Sequence, residues 1–146
     1  QYIATFDADG QHSLTDLETM IAYIRNPEIG LQIVLGSRFK HEKTEISIFK
    51  KFLLKLAVQY VRKVHKIQIT DVHNGLRVFA REVINQFHFE IDGYGHADEI
   101  TASIKKYGWS YLEVPTNIKY TEYSKSKGQP LINIINILFD KIMRIK

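Results

Sequence analysis

Two carboxylates spaced two residues apart, Asp7-Ala8-Asp9, follow a short apolar run and lead into Gly10-Gln11-His12. Side chains at i and i+2 of an extended segment project to one side, so the pair can converge once the chain turns into a loop. Hard divalent cations seek such oxygens, and magnesium or manganese is usually completed by phosphate oxygens of a substrate. Gln11 adds a candidate oxygen ligand and His12 a candidate phosphate donor. An isolated Asp-x-Asp is common, and its plain alternative is an acidic turn. Placement directly after an apolar strand favours the cation site.

Three further clusters carry polar chemistry. In Gly36-Ser37-Arg38 the glycine permits close approach and the arginine suits a phosphate, or the tripeptide is an ordinary turn. Residues 71–77, Asp-Val-His-Asn-Gly-Leu-Arg, read as a loop in which Asp71 is either a cap or a site residue. Asp71 with His73 makes an incomplete metal set. Asp98 and Glu99 stand at a helix start, where the macrodipole alone favours acids. Their functional alternative is a general base or an acceptor-positioning group. Residues 123–128, with Lys125 and Lys127, form a basic loop, either solvated or a lid over a diphosphate. His41, His65 and His88 are isolated and read as surface or packing residues.

The elements that must position these residues follow from periodicity. Residues 2–6 and 31–35 are apolar, β-branched runs that read as buried strands, with a helix carrying Leu14, Leu17, Met20, Ile21 and Ile24 between them. Ser13 or Thr15 caps that helix and Asn26-Pro27 stops it. Strand–helix–strand order with doubly apolar strands predicts a parallel sheet covered by helices, whose ligands sit at the carboxyl ends of the strands. A long helix is predicted over 47–66, with Phe52, Leu56, Val61 and Val64 in its apolar stripe and Lys51, Lys55, Arg62, Lys63 and Lys66 on its flanks. A strand at 76–80, short helix at 81–86, helix at 97–107 closed by Gly108, strands at 111–114 and 118–120, and a terminal amphipathic helix at 131–145 complete the reading.

Composition sets bounds. The 146 residues make one domain's worth of chain, with 45% hydrophobic and 25% charged residues. No cysteine is present, which excludes disulfide scaffolds, thiolate metal sites and thiol nucleophiles. A net charge of +4 suits nucleotide phosphates or anionic lipid heads. The basic residues are dispersed and form no nucleic-acid motif, so no nucleic-acid partner is expected. No run approaches the roughly 20 apolar residues of a spanning helix. A strand beginning at Gln1 reads as the start of a fragment.

In this order and spacing the motifs resemble family 2 glycosyltransferases, and most nearly the dolichyl-phosphate mannose synthase-like enzymes. The residues that carry the resemblance are 6–12, Gly36-Ser37-Arg38, Thr70-Asp71, 74–79, 97–100, Gly108, Glu113-Val114-Pro115 and the loop with Lys125 and Lys127. It implies an α/β fold of GT-A type, a Rossmann-like mixed sheet flanked by helices and truncated at its N-terminal nucleotide-binding half. It implies Mg²⁺ or Mn²⁺ on Asp7, Asp9 and Gln11. A nucleoside-diphosphate sugar is the implied donor and a polyprenyl phosphate or cell-surface glycan precursor the acceptor. Substrate-lining positions are then Gly36, Ser37, Arg38, Asn74, Arg77, Lys125 and Lys127, and catalytic candidates are Asp71, Asp98 and Glu99. A cytoplasmic location, at the membrane's cytoplasmic face, follows from such an acceptor. The chain departs from the family in Asn74-Gly75-Leu76-Arg77, commonly Ser-Gly-Phe-Arg, and in lacking an arginine within 120–123. With the strands that bind base and ribose missing, the fragment alone is expected to be nearly inactive. The basic flank of the long helix suits anionic lipid heads or plain solvent. The terminal helix suits the core, a second subunit or the membrane. Two other functions compete: a sugar-nucleotide pyrophosphorylase-like nucleotidyltransferase, and a non-catalytic α/β binding module.

Overall fold

The computed structural model describes residues 1–7, 9–40, 48–87 and 96–119, without the side chains of Lys50, His96 and Asp98. Its four strands are β1 (Tyr2–Thr5), β2 (Ile33–Ser37), β3 (Arg77–Ala80) and β4 (Tyr111–Pro115). Its α-helices are α1 (Leu14–Arg25), α2 (Ile48–His65), α3 (Arg81–Ile84) and α4 (His96–Tyr107), and a 3₁₀ turn spans Arg38–Lys40. The loop 123–128 with Lys125 and Lys127, the expected helix 131–145, His41, His88 and the Asp98 side chain lie outside the described residues.

The sheet is mixed, in the order β1-β3-β2-β4. β2 and β4 are parallel, whereas β3 runs antiparallel to both β1 and β2. The mixed sheet flanked by helices that the resemblance implied is thus observed, whereas the parallel sheet argued from the β1–α1–β2 order is corrected. The two strands do point the same way, but β3 is inserted between them. Consequently the carboxyl ends of β1, β2 and β4 share one edge of the sheet with the entry to β3, because Thr5 and Leu35 both pair with Arg77.

Every residue of β2 and β3 is buried, which explains why both read as continuous apolar runs rather than alternating ones. β1 reads the same way but is exposed at all four positions. The expected buried strand is an edge strand among the described residues, paired to β3 alone. Apolar composition reports what a residue tolerates, and its place in the sheet decides what it meets.

Local signals account for the helix ends. The Ser13 side chain accepts a hydrogen bond from Thr15 N at 3.2 Å, capping α1. Asn26 closes α1 and turns the chain by accepting from Glu28 N at 3.0 Å. Gly108 ends α4 with φ 67°, a left-handed value that glycine adopts freely. Met20 and Ile24 carry α1 onto β2 and β3. Phe87 joins Phe79 edge-on and Trp109 at 5.0 Å, filling the core beside β3. Residue 118 is in no strand.

One helix face departs from the sequence reading. α2 buries Leu53, Leu54, Ala57, Val58 and Val61, whereas Phe52, Leu56 and Val64 of the expected apolar stripe are exposed. The helix has apolar residues on two faces, and periodicity could not say which one the core would take. Among the described residues no helix is long and apolar enough to cross a membrane.

Candidate functional site

Of the seven buried polar or charged residues described, six lie at the shared edge: Ser37, Asp71, Asn74, Arg77, Glu113 and Thr116. Burying polar groups costs free energy unless they are hydrogen-bonded, so their concentration at one place calls for an accounting of partners.

Glu113 is the hub. It is the inward acid of β4, with a side chain 2% exposed. Oε1 accepts from the backbone N–H groups of Thr70 at 2.7 Å and Asp71 at 3.1 Å. Oε2 accepts the Thr70 hydroxyl at 2.8 Å. Because the Thr70 proton is committed there, Ser37 donates to Thr70 Oγ1 at 2.7 Å and in turn accepts from Phe39 N at 3.2 Å. Lys40 Nζ donates to the Glu113 carbonyl at 3.0 Å. One carboxylate thus fixes the loop between α2 and β3 against the ends of β2 and β4.

Asp71 is spent in the same way. Its side chain is 1% exposed, and Oδ2 accepts from Arg38 Nε at 2.6 Å and Arg38 N at 3.1 Å. Oδ1 accepts from His73 N at 3.3 Å, while Arg38 Nη2 donates to the His73 carbonyl at 2.9 Å. Arg38 is thereby locked, with 11% of its side chain accessible. Asp71 and His73 meet no third ligand, and among the described residues no group of three His, Cys, Asp or Glu could hold a metal.

Asn74 builds the last corner. Its Oδ1 accepts from Leu76 N at 3.0 Å and its Nδ2 donates to Thr116 Oγ1 at 2.9 Å. The sequence places Gly36-Ser37 in a turn. The structure keeps both in β2, paired with Val114 and Pro115, and only Arg38 leaves the strand. Gly36 is needed for close approach: a Cβ there would lie 2.9 Å from Thr116 Cγ2 and 3.0 Å from the Leu76 carbonyl oxygen. Gly36→Ala is expected to cost about 2–3 kcal/mol by overpacking, measured as a lower denaturant midpoint at unchanged slope.

Asp7 and Asp9 stand at the mouth of this buried set. The Asp7 side chain is 61% exposed and rests on Gly75, while Thr5 Oγ1 donates to the Gly75 carbonyl at 2.6 Å. His12, buried at 3% exposure and packed on the Phe6 ring, places Nε2 3.3 Å from Asp7 Oδ2. Asp9 accepts from Gln11 N at 3.0 Å and Gln11 Nε2 at 2.5 Å. That pairing turns the Gln11 side-chain amide nitrogen toward Asp9. Lys119 N donates to the Gln11 main-chain carbonyl at 3.0 Å, tying the chain after β4 to this loop.

Arg77 lies behind the carboxylates, buried, with Nη2 donating to the Val72 carbonyl at 3.2 Å. Burial pushes its pKa down to about 10, against the opposing pull of Asp71 and Asp7. The residue stays cationic at neutral pH and is held there at a cost in stability. Glu99 is half-buried in the first turn of α4, a different element from those meeting at the edge.

The structure thus gathers Asp7, Asp9, Gln11, Gly36, Ser37, Arg38, Asp71, Asn74 and Arg77 at one sheet edge. Sequence reasoning did not single out Glu113, Thr70, Thr116 or His12 as organisers. Glu113 had a visible signal, an acid at the centre of the apolar strand Tyr111-Leu112-Glu113-Val114.

No protein-family model matches the chain. Two curated relatives do. An uncharacterized protein of Methanocaldococcus jannaschii is 33% identical over 153 aligned residues, covering 97% of this chain and 59% of the relative. The UDP-N-acetylglucosamine–dolichyl-phosphate N-acetylglucosaminyltransferase of Methanococcus voltae is 29% identical over 144 residues, 95% of this chain and 56% of that enzyme. The chain spans less than two thirds of the length of either.

Proposed function

We propose that the chain forms the cation-binding and acceptor side of a family 2 glycosyltransferase of GT-A type, which moves a sugar from a nucleoside diphosphate to a polyprenyl phosphate. The observation that carries this reading is the placement of Asp7, Asp9 and Gln11 at the mouth of a rigid, buried polar set containing Arg38. The likeness to the Methanococcus voltae transferase, over 95% of the chain, supports the same class. In the reaction the bond between the sugar's anomeric carbon and the diphosphate oxygen breaks. An oxygen of the acceptor phosphate forms the new bond, and the nucleoside diphosphate leaves with the electron pair.

The donor set fits Mg²⁺ or Mn²⁺, since two carboxylates and one amide oxygen on a single loop leave coordination positions for phosphate oxygens. Such an ion, when bound, supplies neutralisation of the leaving diphosphate. The chain's own residues do the positioning. Glu113 and Asp71 hold Arg38 as a fixed positive charge for a phosphate, and a preorganised charge costs no reorganisation during reaction. A phosphate acceptor is already anionic and needs no general base, so Asp98 and Glu99 act by placing the acceptor. The proposed setting is the cytoplasmic face of a membrane, where such a lipid acceptor presents its phosphate.

The test is transfer of labelled sugar to dolichyl phosphate by the protein expressed from its whole gene, with and without Mn²⁺. Metal-dependent formation of a lipid-phosphate sugar is the expected outcome. Absence of transfer from every common nucleoside-diphosphate sugar would overturn the proposal.

Gly75 gives a finer test. A Cβ at this position would sit 2.6 Å from Asp7 Cγ and 2.8 Å from Oδ1, too close for either to stay. Asp7 is exposed and can swing outward, so Gly75→Ala should leave global stability within about 1 kcal/mol. The displaced carboxylate should weaken Mn²⁺ binding about tenfold, as read by metal titration of the folded variant.

A further inference from the structure

We infer that His12 is a positioning residue that ties up one oxygen of Asp7, so that this carboxylate offers a cation its other oxygen alone. The role rests on the proposed cation site and extends it, from where an ion binds to which ion is preferred. The His12 side chain is 3% exposed and that of Asp7 61%, yet His12 Nε2 lies 3.3 Å from Asp7 Oδ2. An exposed carboxylate has water for its hydrogen bonds and gains little stability from a buried donor. The imidazole gives up water to be there, and among the described residues its Nδ1 has no hydrogen-bond partner. A buried nitrogen left in that state is a cost that folds generally avoid.

Packing does not account for that cost. The His12 ring lies 5.8 Å from the Phe6 ring, and a phenylalanine would cover it with no orphaned nitrogen. What the imidazole adds is a donor in a fixed place. Facing a carboxylate, the neutral ring carries its proton on Nε2 and leaves Nδ1 the bare acceptor. Gly75 lies against the same Asp7 oxygen, since a Cβ there would overlap it. Among the described residues Asp7 Oδ1 accepts no hydrogen bond. Mg²⁺ and Mn²⁺ favour six oxygens in an octahedral array, which suits one oxygen per carboxylate. Ca²⁺ takes six to eight and readily accepts both oxygens of one carboxylate. An Asp7 held by His12 therefore discriminates against Ca²⁺.

Mn²⁺ alone is titrated into the protein expressed from its whole gene, with the free ion followed by electron paramagnetic resonance, and Ca²⁺ is then used to displace it. His12→Phe keeps the packing and removes the donor. His12→Gln loses the ring and keeps an amide donor within reach of Asp7. His12→Phe should weaken Mn²⁺ about tenfold and Ca²⁺ less than about threefold, while His12→Gln stays within about threefold of wild type for both ions. A histidine that only packs would give the reverse order, with His12→Phe close to wild type and His12→Gln the weaker, and that result overturns the role. Equal loss in both variants, or an unchanged ratio of Mn²⁺ to Ca²⁺ affinity in His12→Phe, overturns it too. Circular dichroism checks the fold of each variant. Should His12→Phe not fold, wild type decides: the nitrogen-15 shifts of the neutral imidazole should place its proton on Nε2, and a proton on Nδ1 overturns the role. Wild type that binds no Mn²⁺ at all would remove the cation site itself, a failure of the proposed function that the variants do not mimic.

Discussion

Asp9→Ala is expected to lower Mn²⁺-dependent binding of a nucleoside-diphosphate sugar on the order of 100-fold, while the melting temperature moves by no more than about 3 °C. The two halves of that expectation come from different facts. The hydrogen bonds described for the Asp9 carboxylate go only to Gln11, at its backbone nitrogen and its amide. Both are local and partly open to water, so solvent replaces what the mutation removes and the cost is about 1 kcal/mol or less. The charge matters more under the proposed function: without Asp9 the loop offers one carboxylate and one amide oxygen, so an ion there would depend more on water and the substrate's phosphate oxygens. Calorimetric titration in Mn²⁺ and in EDTA, with thermal unfolding of the same samples, separates the two effects. Undiminished metal-dependent binding by a folded Asp9→Ala protein would remove this loop from the site.

Glu113→Ala should do the reverse, destabilising the fold by about 3–5 kcal/mol and lowering the melting temperature by roughly 10–20 °C. It strands the Thr70 and Asp71 N–H groups and the Thr70 hydroxyl where water has little access. Each buried donor left without an acceptor costs about 1–3 kcal/mol. Glu113→Gln is the informative companion. The glutamine carbonyl can still accept both backbone N–H groups, and the Thr70 hydroxyl can turn to accept from the amide. A loss of only about 1–2 kcal/mol is therefore expected. Equal destabilisation by both variants would mean that the negative charge facing Lys40, rather than the hydrogen-bond set, matters most. Chemical denaturation of the three proteins decides between these.

The order of these two effects separates the roles at the sheet edge. Exposed Asp7 and half-buried Asp9 make only local side-chain hydrogen bonds and are cheap to remove. Buried Glu113 and Asp71 are expensive to remove because the loop between α2 and β3 is built on them. Asp71 was an expected catalytic candidate. Its carboxylate is given over to Arg38 and His73, which suits it to holding Arg38 rather than to meeting a substrate directly.

The sequence by itself determined the elements and the chemistry-bearing loops. Ser13, Asn26 and Gly108 mark helix ends because their preferences are local, set by side-chain hydrogen bonds and a left-handed φ. The apolar run 31–35 announced a strand covered on both faces, found as Ile33–Ser37, and 76–80 announced a further strand, found as Arg77–Ala80. The Asp7-Ala8-Asp9-Gly10-Gln11 loop was legible because its composition and its position after a strand suffice to suggest a cation. Only the tertiary structure decided three things. β3 enters antiparallel between β1 and β2, since strand order depends on pairings far apart in sequence. The face of α2 that meets the core carries Leu53, Leu54, Ala57, Val58 and Val61 rather than Phe52, Leu56 and Val64, because a helix with two apolar faces is oriented by its neighbours. Glu113 organises Thr70, Asp71 and, through Thr70, Ser37, because 42 and 43 residues of chain separate it from the N–H groups it accepts, and periodicity carries no information across that distance.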